Sequence, residues 1–168
     1  MNTAVQIVLV GVGATLIMDL WCMIRRPLFH VPFPDYAMVG RWVAHMKRGH
    51  FVHNSIALAT PIRGEGLVGW SCHYLVGIVF SFGLAATVGA QWFLNPSLMP
   101  ALIWGAITVV APFFLMQPGM GAGVAASKTK HPVQARLHSV VTHLIFGTGL
   151  YLVAFIFETL GLFARNAL

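Results

Sequence analysis

The sequence predicts an all-α integral membrane protein, a four-transmembrane-helix bundle with a short interfacial helix in its first cytoplasmic loop. Three observations carry that expectation. Hydrophobic residues make up 58% of the 168 positions and charged residues 8%, where soluble domains carry roughly a quarter charged. The apolar residues gather into four runs, each near the ~20 residues that cross a hydrocarbon core. The basic residues lie almost entirely in two of the segments between those runs. A soluble single domain of this length could not bury so much apolar surface. A bilayer removes the need to bury it.

The first run covers residues 5–24 and stops at Arg25-Arg26-Pro27. It is not expected to be a signal peptide, because no basic stretch precedes it and it exceeds the usual apolar length. The second covers residues 67–90. The third covers residues 98–117 and stops at Pro118-Gly119, with Pro112 as a candidate kink. The fourth covers residues 137–160. In lipid a chain must satisfy its own backbone groups, so runs of this length are expected to be helical.

Orientation follows from the loops. Residues 25–66 hold Arg25, Arg26, Arg41, Lys47, Arg48 and Arg63, and residues 118–136 hold Lys128, Lys130 and Arg136. The link 91–97 has no charge, and Arg165 is the remaining basic residue. The positive-inside rule assigns the two basic loops to the cytoplasm. With four spans, both termini then face outward. A sequence pI of about 10.0 would suggest nucleic acid in a soluble protein. Here it predicts contact with anionic lipid headgroups instead.

The first loop has structure of its own. Asp35 is placed to cap a helix over residues 36–46. Val39, Trp42, Val43 and Met46 share one apolar face, with Arg41, Lys47 and Arg48 toward the polar side or its end. Such a helix either lies in the membrane interface or packs over the mouth of the bundle. Cys22 and Cys72 lack the spacing of a metal or redox motif and are expected to act as small hydrophobes.

Ionisable residues inside membrane spans are costly and mark candidate sites. Asp19, His73 and His143 each lie ~6 residues, or ~9 Å, from the cytoplasmic end of their runs. Met116 and Gln117 lie about a turn shallower. Each ionisable residue sits on a stripe of small residues at four-residue spacing: Gly11, Thr15, Asp19; Gly69, His73, Gly77, Ser81; and Ser139, His143, Gly147. Small stripes mark helix contacts in membranes, so the three side chains are expected to point inward.

Two imidazoles and a carboxylate suit a divalent transition metal, with Asp19, His73 and His143 as ligands. Met116 or Met120 would favour Cu(I), and Gln117 would join the polar network. His73 and His143 could instead hold a haem axially. The same groups could relay protons, or form a hydrogen-bond network that only locks the helices. In the first loop, His45, His50 and His53 form H-x4-H-x2-H, a weaker candidate for a surface metal site.

The segment from Gly119 to Ala126 lacks the preceding strand of a dinucleotide fingerprint. It reads as a helix end that lets backbones approach closely. Leu16-Ile17-Met18-Asp19 resembles Phe114-Leu115-Met116-Gln117, which suggests a tandem hairpin.

Three strings carry a wider resemblance. They are the stretch from Gly11 to Trp21, the set Asp35-Tyr36 with Val39-Gly40-Arg41-Trp42 and His45-Met46, and the stretch from Pro112 to Gly123. They resemble an uncharacterised bacterial membrane protein family, domain of unknown function 2938, over nearly the whole chain. The resemblance implies a bacterial inner-membrane location and supplies no activity or catalytic residue.

The expected function is therefore that of a small polytopic inner-membrane protein with an intramembrane metal- or haem-binding site near its cytoplasmic face. A proton or solute transporter and a structural accessory subunit are the alternatives. No nucleophile–base pair is visible, so an enzyme is the weakest reading. Four spans are few for a transporter, so a homo-oligomer or a larger membrane complex is expected.

Overall fold

A computed structural model describes residues 2–162. Met1 and residues 163–168, among them the Arg165 counted above, lie outside the described residues. Every regular element among the described residues is helical. Four helical segments are long and apolar enough to cross a membrane: Thr3–Phe29, Glu65–Val88, Leu98–Gly119 and Pro132–Thr159.

Helix α1, Thr3–Phe29, is capped by Asn2, whose side chain accepts from the Ala4 N–H at 2.9 Å. It runs on through Arg25, Arg26 and Pro27 and ends at His30, which takes a left-handed conformation. Hydropathy records only the part of a helix that sits in hydrocarbon, so the helix outlasts its apolar run. Helix α2, Tyr36–Met46, begins where its cap requires: the Asp35 side chain accepts from the Ala37 N–H at 3.0 Å. Helix α3 is Glu65–Val88.

The third span is not one regular helix. Helix α4, Leu98–Thr108, is followed by a π-helical turn over Pro112–Met116 and a short helix α5, Gln117–Gly119. Pro112 has no N–H to give to the ladder. The Gln117 N–H reaches back five residues to the Pro112 carbonyl, the hydrogen bond of a π-bulge. Three of the four residues resembling Leu16–Asp19, Phe114 to Met116, are thus wound as π where α1 is wound as α. Helix α6 is Pro132–Thr159.

The chain divides into two compact units. Among the described residues, the first is built from residues 2–31, Tyr74–Ile107 and 142–162. Its core is apolar: Ile7, Val10 and Ala14 from α1, Leu84 from α3, Ala101 from α4, and Phe146, Leu150, Val153 and Ala154 from α6. Trp92 and Phe93 close it from the short 3-10 turn Ala90–Leu94. Small residues set how closely its helices approach. A β-carbon on Gly11 would lie 2.8 Å from Ile78 Cα and 2.9 Å from the Gly77 carbonyl oxygen. One on Gly147 would lie 2.5 Å from the Ala101 carbonyl oxygen.

The second unit is built from Pro32–His73 and Thr108–Val141. Within it α2 crosses the start of α3 at Gly40 and Gly69. A β-carbon on Gly40 would collide with the Glu65 carbonyl, and one on Gly69 with the Tyr36 carbonyl. The most buried face of α2 is Tyr36, Gly40 and Trp42, which shares only Trp42 with the apolar stripe of the sequence; Val39, Val43 and Met46 are half-buried.

Candidate functional site

In the first unit the buried face of α1 mixes apolar residues, Ile7, Val10 and Ala14 among them, with polar ones. Gln6, Thr15, Asp19, Cys22 and Arg25 are all buried. The stretch from residue 6 to residue 25 spans about 28 Å of helix. Thr15 satisfies its hydroxyl within the helix, on the Gly11 carbonyl at 2.8 Å. Ser81 of α3 donates to the Ile7 carbonyl at 2.8 Å.

Asp19 is only 7% exposed and accepts a hydrogen bond from the Tyr74 hydroxyl at 3.1 Å. Arg25 is 6% exposed. Its Nη1 donates to the Thr142 hydroxyl at 3.3 Å, while its Nε has no hydrogen-bond partner among the described residues. His143 belongs to this unit, and its carbonyl lies against Gly105, where a β-carbon would stand 2.5 Å away.

In the second unit His73 lies in an aromatic cluster. Its ring stacks on Tyr36 at 4.1 Å with an interplanar angle of 25°, and Trp70 meets it edge-on at 5.9 Å. Phe33 stacks on Trp70 at 6.1 Å. Met116 ends the π-turn, and its carbonyl accepts from the Met120 N–H at 2.9 Å. Gln117 donates through Nε2 to the Ser139 hydroxyl at 3.4 Å, and its buried Oε1 has no partner among the described residues. That half-satisfied amide is what the structure offers of the polar network expected at this residue.

The loop histidines are brought together as a pair. His45 Nδ1 lies 2.9 Å from His53 Nε2. His45 Nε2 donates to the Thr60 carbonyl at 3.1 Å, and His53 Nδ1 donates to the Gly119 carbonyl at 3.4 Å. The His50 side chain is exposed, and its backbone N–H closes the end of α2 on the His45 carbonyl at 3.2 Å. Among the described residues no group of three or more His, Cys, Asp or Glu side chains is placed to hold a metal ion.

The loop is held in place by the glycine-rich turn. The His53 and Ile56 N–H groups donate to the carbonyls of Gly119 and Met120, at 2.9 and 3.0 Å. Trp42 lies over Gly119, where a β-carbon would stand 2.6 Å from the indole ring. Its Nε1 donates to the Phe51 carbonyl at 2.8 Å. Gly121 takes a left-handed φ of 93°, and a β-carbon there would collide with the Asn54 carbonyl. Side chains at Gly119 and Gly121 would push the loop away.

An ion pair that the sequence reading did not single out completes this unit. Arg41 grips Glu65 through two parallel hydrogen bonds, Nε to Oε2 at 2.8 Å and Nη2 to Oε1 at 2.7 Å. Its Nη1 donates to the carbonyls of Ile56 and Ala59 at 3.2 and 3.1 Å, and the Ile62 N–H donates to Glu65 at 2.8 Å. The bonds from Glu65 raise the Arg41 pKa above its ordinary value. The visible signal was Glu65 itself, the one glutamate in a loop with six basic residues, placed just before an apolar helix.

No curated protein and no solved structure matches this chain. The four membrane-length helices fit a multi-pass membrane protein; a family model described as "Protein of unknown function (DUF2938)" matches residues 8–157, and the chain therefore belongs to the DUF2938 family.

Proposed function

We propose that the protein moves protons or a small cation past the buried polar residues of α1, with Asp19 as the group that takes up and releases the proton. The observation that carries the reading is Asp19 itself, buried in a membrane-length helix and bonded to the Tyr74 hydroxyl. A bare carboxylate in a low-dielectric interior is costly, and protonation is the cheapest way to neutralise it. A phenol can follow both states. It donates to the ionised carboxylate and accepts from the protonated one.

The setting supports the same reading. By the positive-inside rule the loops 25–66 and 118–136 are cytoplasmic, so both termini face outward from a bacterial inner membrane. Arg26, Lys47, Arg48, Arg63, Lys128 and Lys130 are exposed on those loops and fit anionic lipid headgroups. Asp19 then lies somewhat nearer the inner end of α1, Thr3–Phe29, than the outer. A homo-oligomer or a larger complex would supply the rest of a route.

The test is proton flux into liposomes holding the purified protein and a pH-sensitive dye, under an imposed potassium potential. Wild type is expected to acidify the lumen and Asp19→Asn to fall to the level of empty vesicles. Tyr74→Phe is expected to be slower, and Asp35→Asn, which keeps the α2 cap, to match wild type. Equal flux in wild type and Asp19→Asn would refute the proposal. The competing reading, a metal or haem on His73 and His143 with Asp19, would show as bound metal or a Soret band lost in His73→Ala/His143→Ala.

A further inference from the structure

The His45–His53 pair poses a question of proton count. A carbonyl oxygen only accepts, so the Thr60 carbonyl requires a hydrogen on His45 Nε2 and the Gly119 carbonyl requires one on His53 Nδ1. A neutral imidazole carries one N–H and one lone pair. Both lone pairs are then on the inner nitrogens, His45 Nδ1 and His53 Nε2, which face each other at 2.9 Å. Two lone pairs at that distance repel. An electron-poor centre must lie between or beside them, and the candidates are a shared proton and a metal cation.

We propose that the pair is a binding site for a divalent first-row transition-metal ion, ligated by His45 Nδ1 and His53 Nε2. Three features favour the metal. First, histidine ligands characteristically give their outer N–H to a backbone carbonyl or carboxylate, which fixes the tautomer and aims the lone pair. Both rings do so here. Second, the spacing fits. Two metal–nitrogen bonds of about 2.05 Å at a right angle place the nitrogens about 2.9 Å apart, and a tetrahedral angle places them about 3.3 Å apart. The observed 2.9 Å matches the right angle, the geometry of nickel(II) and copper(II) rather than structural zinc.

Third, the site is already built. His45 is held on α2, whose Trp42 is seated over Gly119 and bonded to Phe51. His53 is held by its own N–H on Gly119. Metal binding therefore requires little ordering of the loop. With two protein ligands the remaining positions stay open to water or to a further donor, as in a site that hands its ion on. The site is separate from Asp19 and does not depend on the proton reading.

The experiment uses the full-length, tag-free protein in detergent, titrated with Ni2+ alone and followed by calorimetry and by the rise in unfolding temperature. Wild type is expected to bind one equivalent. His45→Ala and His53→Ala are each expected to weaken binding about tenfold or more, and His131→Ala to leave it unchanged. Cu2+ in place of Ni2+ should give an electron paramagnetic resonance spectrum with coupling to two nitrogens. In either variant the two-nitrogen pattern is expected to fall to that of one nitrogen, a readout that an unfolded chain losing both would not give. If wild type binds no more Ni2+ than the His45→Ala/His53→Ala double variant, the proposal is overturned and the pair holds a shared proton. Full binding retained in either single variant also overturns it.

Discussion

Gly11→Ala tests the packing of α1 on α3 most directly. The added carbon would lie 2.8 Å from Ile78 Cα, 2.9 Å from the Gly77 carbonyl oxygen and 3.0 Å from Ser81 Cβ. Non-bonded carbons settle at about 3.5–4.0 Å, so the helices must part by roughly 0.7 Å. None of the three atoms is the end of a flexible side chain. Overpacking of this kind costs about 1–3 kcal/mol. Separation also strains the Ser81 bond to the Ile7 carbonyl, now 2.8 Å, which contributes about 0.5–1.5 kcal/mol. The expected loss is about 2–4 kcal/mol, the sum of those two ranges at its middle. Unfolding by sodium dodecyl sulfate in mixed micelles, followed by circular dichroism, measures it. Gly66→Ala is the internal control. It lies in the first turn of α3 with nothing within 4 Å of the added carbon, so it should be neutral or gain up to about 1 kcal/mol of helix propensity. If Gly11→Ala unfolds at the same detergent fraction as Gly66→Ala, α1 and α3 do not meet as described.

Two further outcomes are expected. Glu65→Gln removes the charge that Arg41 grips and leaves Arg41 on the loop carbonyls alone, so trypsin should cut faster at Lys47, Arg48 or Arg63 than in wild type; unchanged cleavage would mean that the pair does not hold the loop. In a Cys22→Ala/Cys72→Ala background, Ser127→Cys should react with an impermeant maleimide only in inside-out vesicles and Asn95→Cys only in right-side-out ones, and the reverse pattern would invert the topology.

The spans were legible because a bilayer imposes its demand on composition, which needs no knowledge of packing. Asp35 was legible as a cap for the same local reason: its side chain serves an N–H two residues away. The helix ends were less legible. Hydropathy stopped α1 at Ile24, yet the helix continues to Phe29, because arginines can extend a helix into the headgroup region without adding an apolar residue. The winding at Pro112 was harder still. Proline announces a missing N–H, but whether the helix kinks or takes up a π-turn depends on neighbours that lie far away in sequence.

The candidate sites show the same division. The sequence marked Asp19 and the loop histidines by residue type, and left their partners hidden. Tyr74 reaches Asp19 across a separation of 55 residues, and His53 selects the Gly119 carbonyl across 66. His50 matched the sequence spacing as well as His53 did. What separates them is the pair of backbone hydrogen bonds that dock residues 53 and 56 on the glycine turn, a feature that side-chain spacing does not record.

The stripe Gly11, Thr15, Asp19 shows why such partners form at all. Along α1 the contacts with α3 run in antiparallel order, Ile7 with Ser81, Gly11 with Gly77 and Ile78, Thr15 with Gly77, then Asp19 with Tyr74. The first contacts are close and involve backbone, so they permit one register. Asp19 lies eight residues beyond Gly11, about 12 Å along the helix, and its hydroxyl partner is delivered by that register rather than by any attraction of its own. Three residues four apart thus divide the work: glycine sets the approach, threonine hides its hydroxyl in its own helix, and the carboxylate receives a hydroxyl of α3 able to serve it in either protonation state. A helix pair closed by larger residues would hold Tyr74 less strictly and would leave a buried charge without its neutral companion.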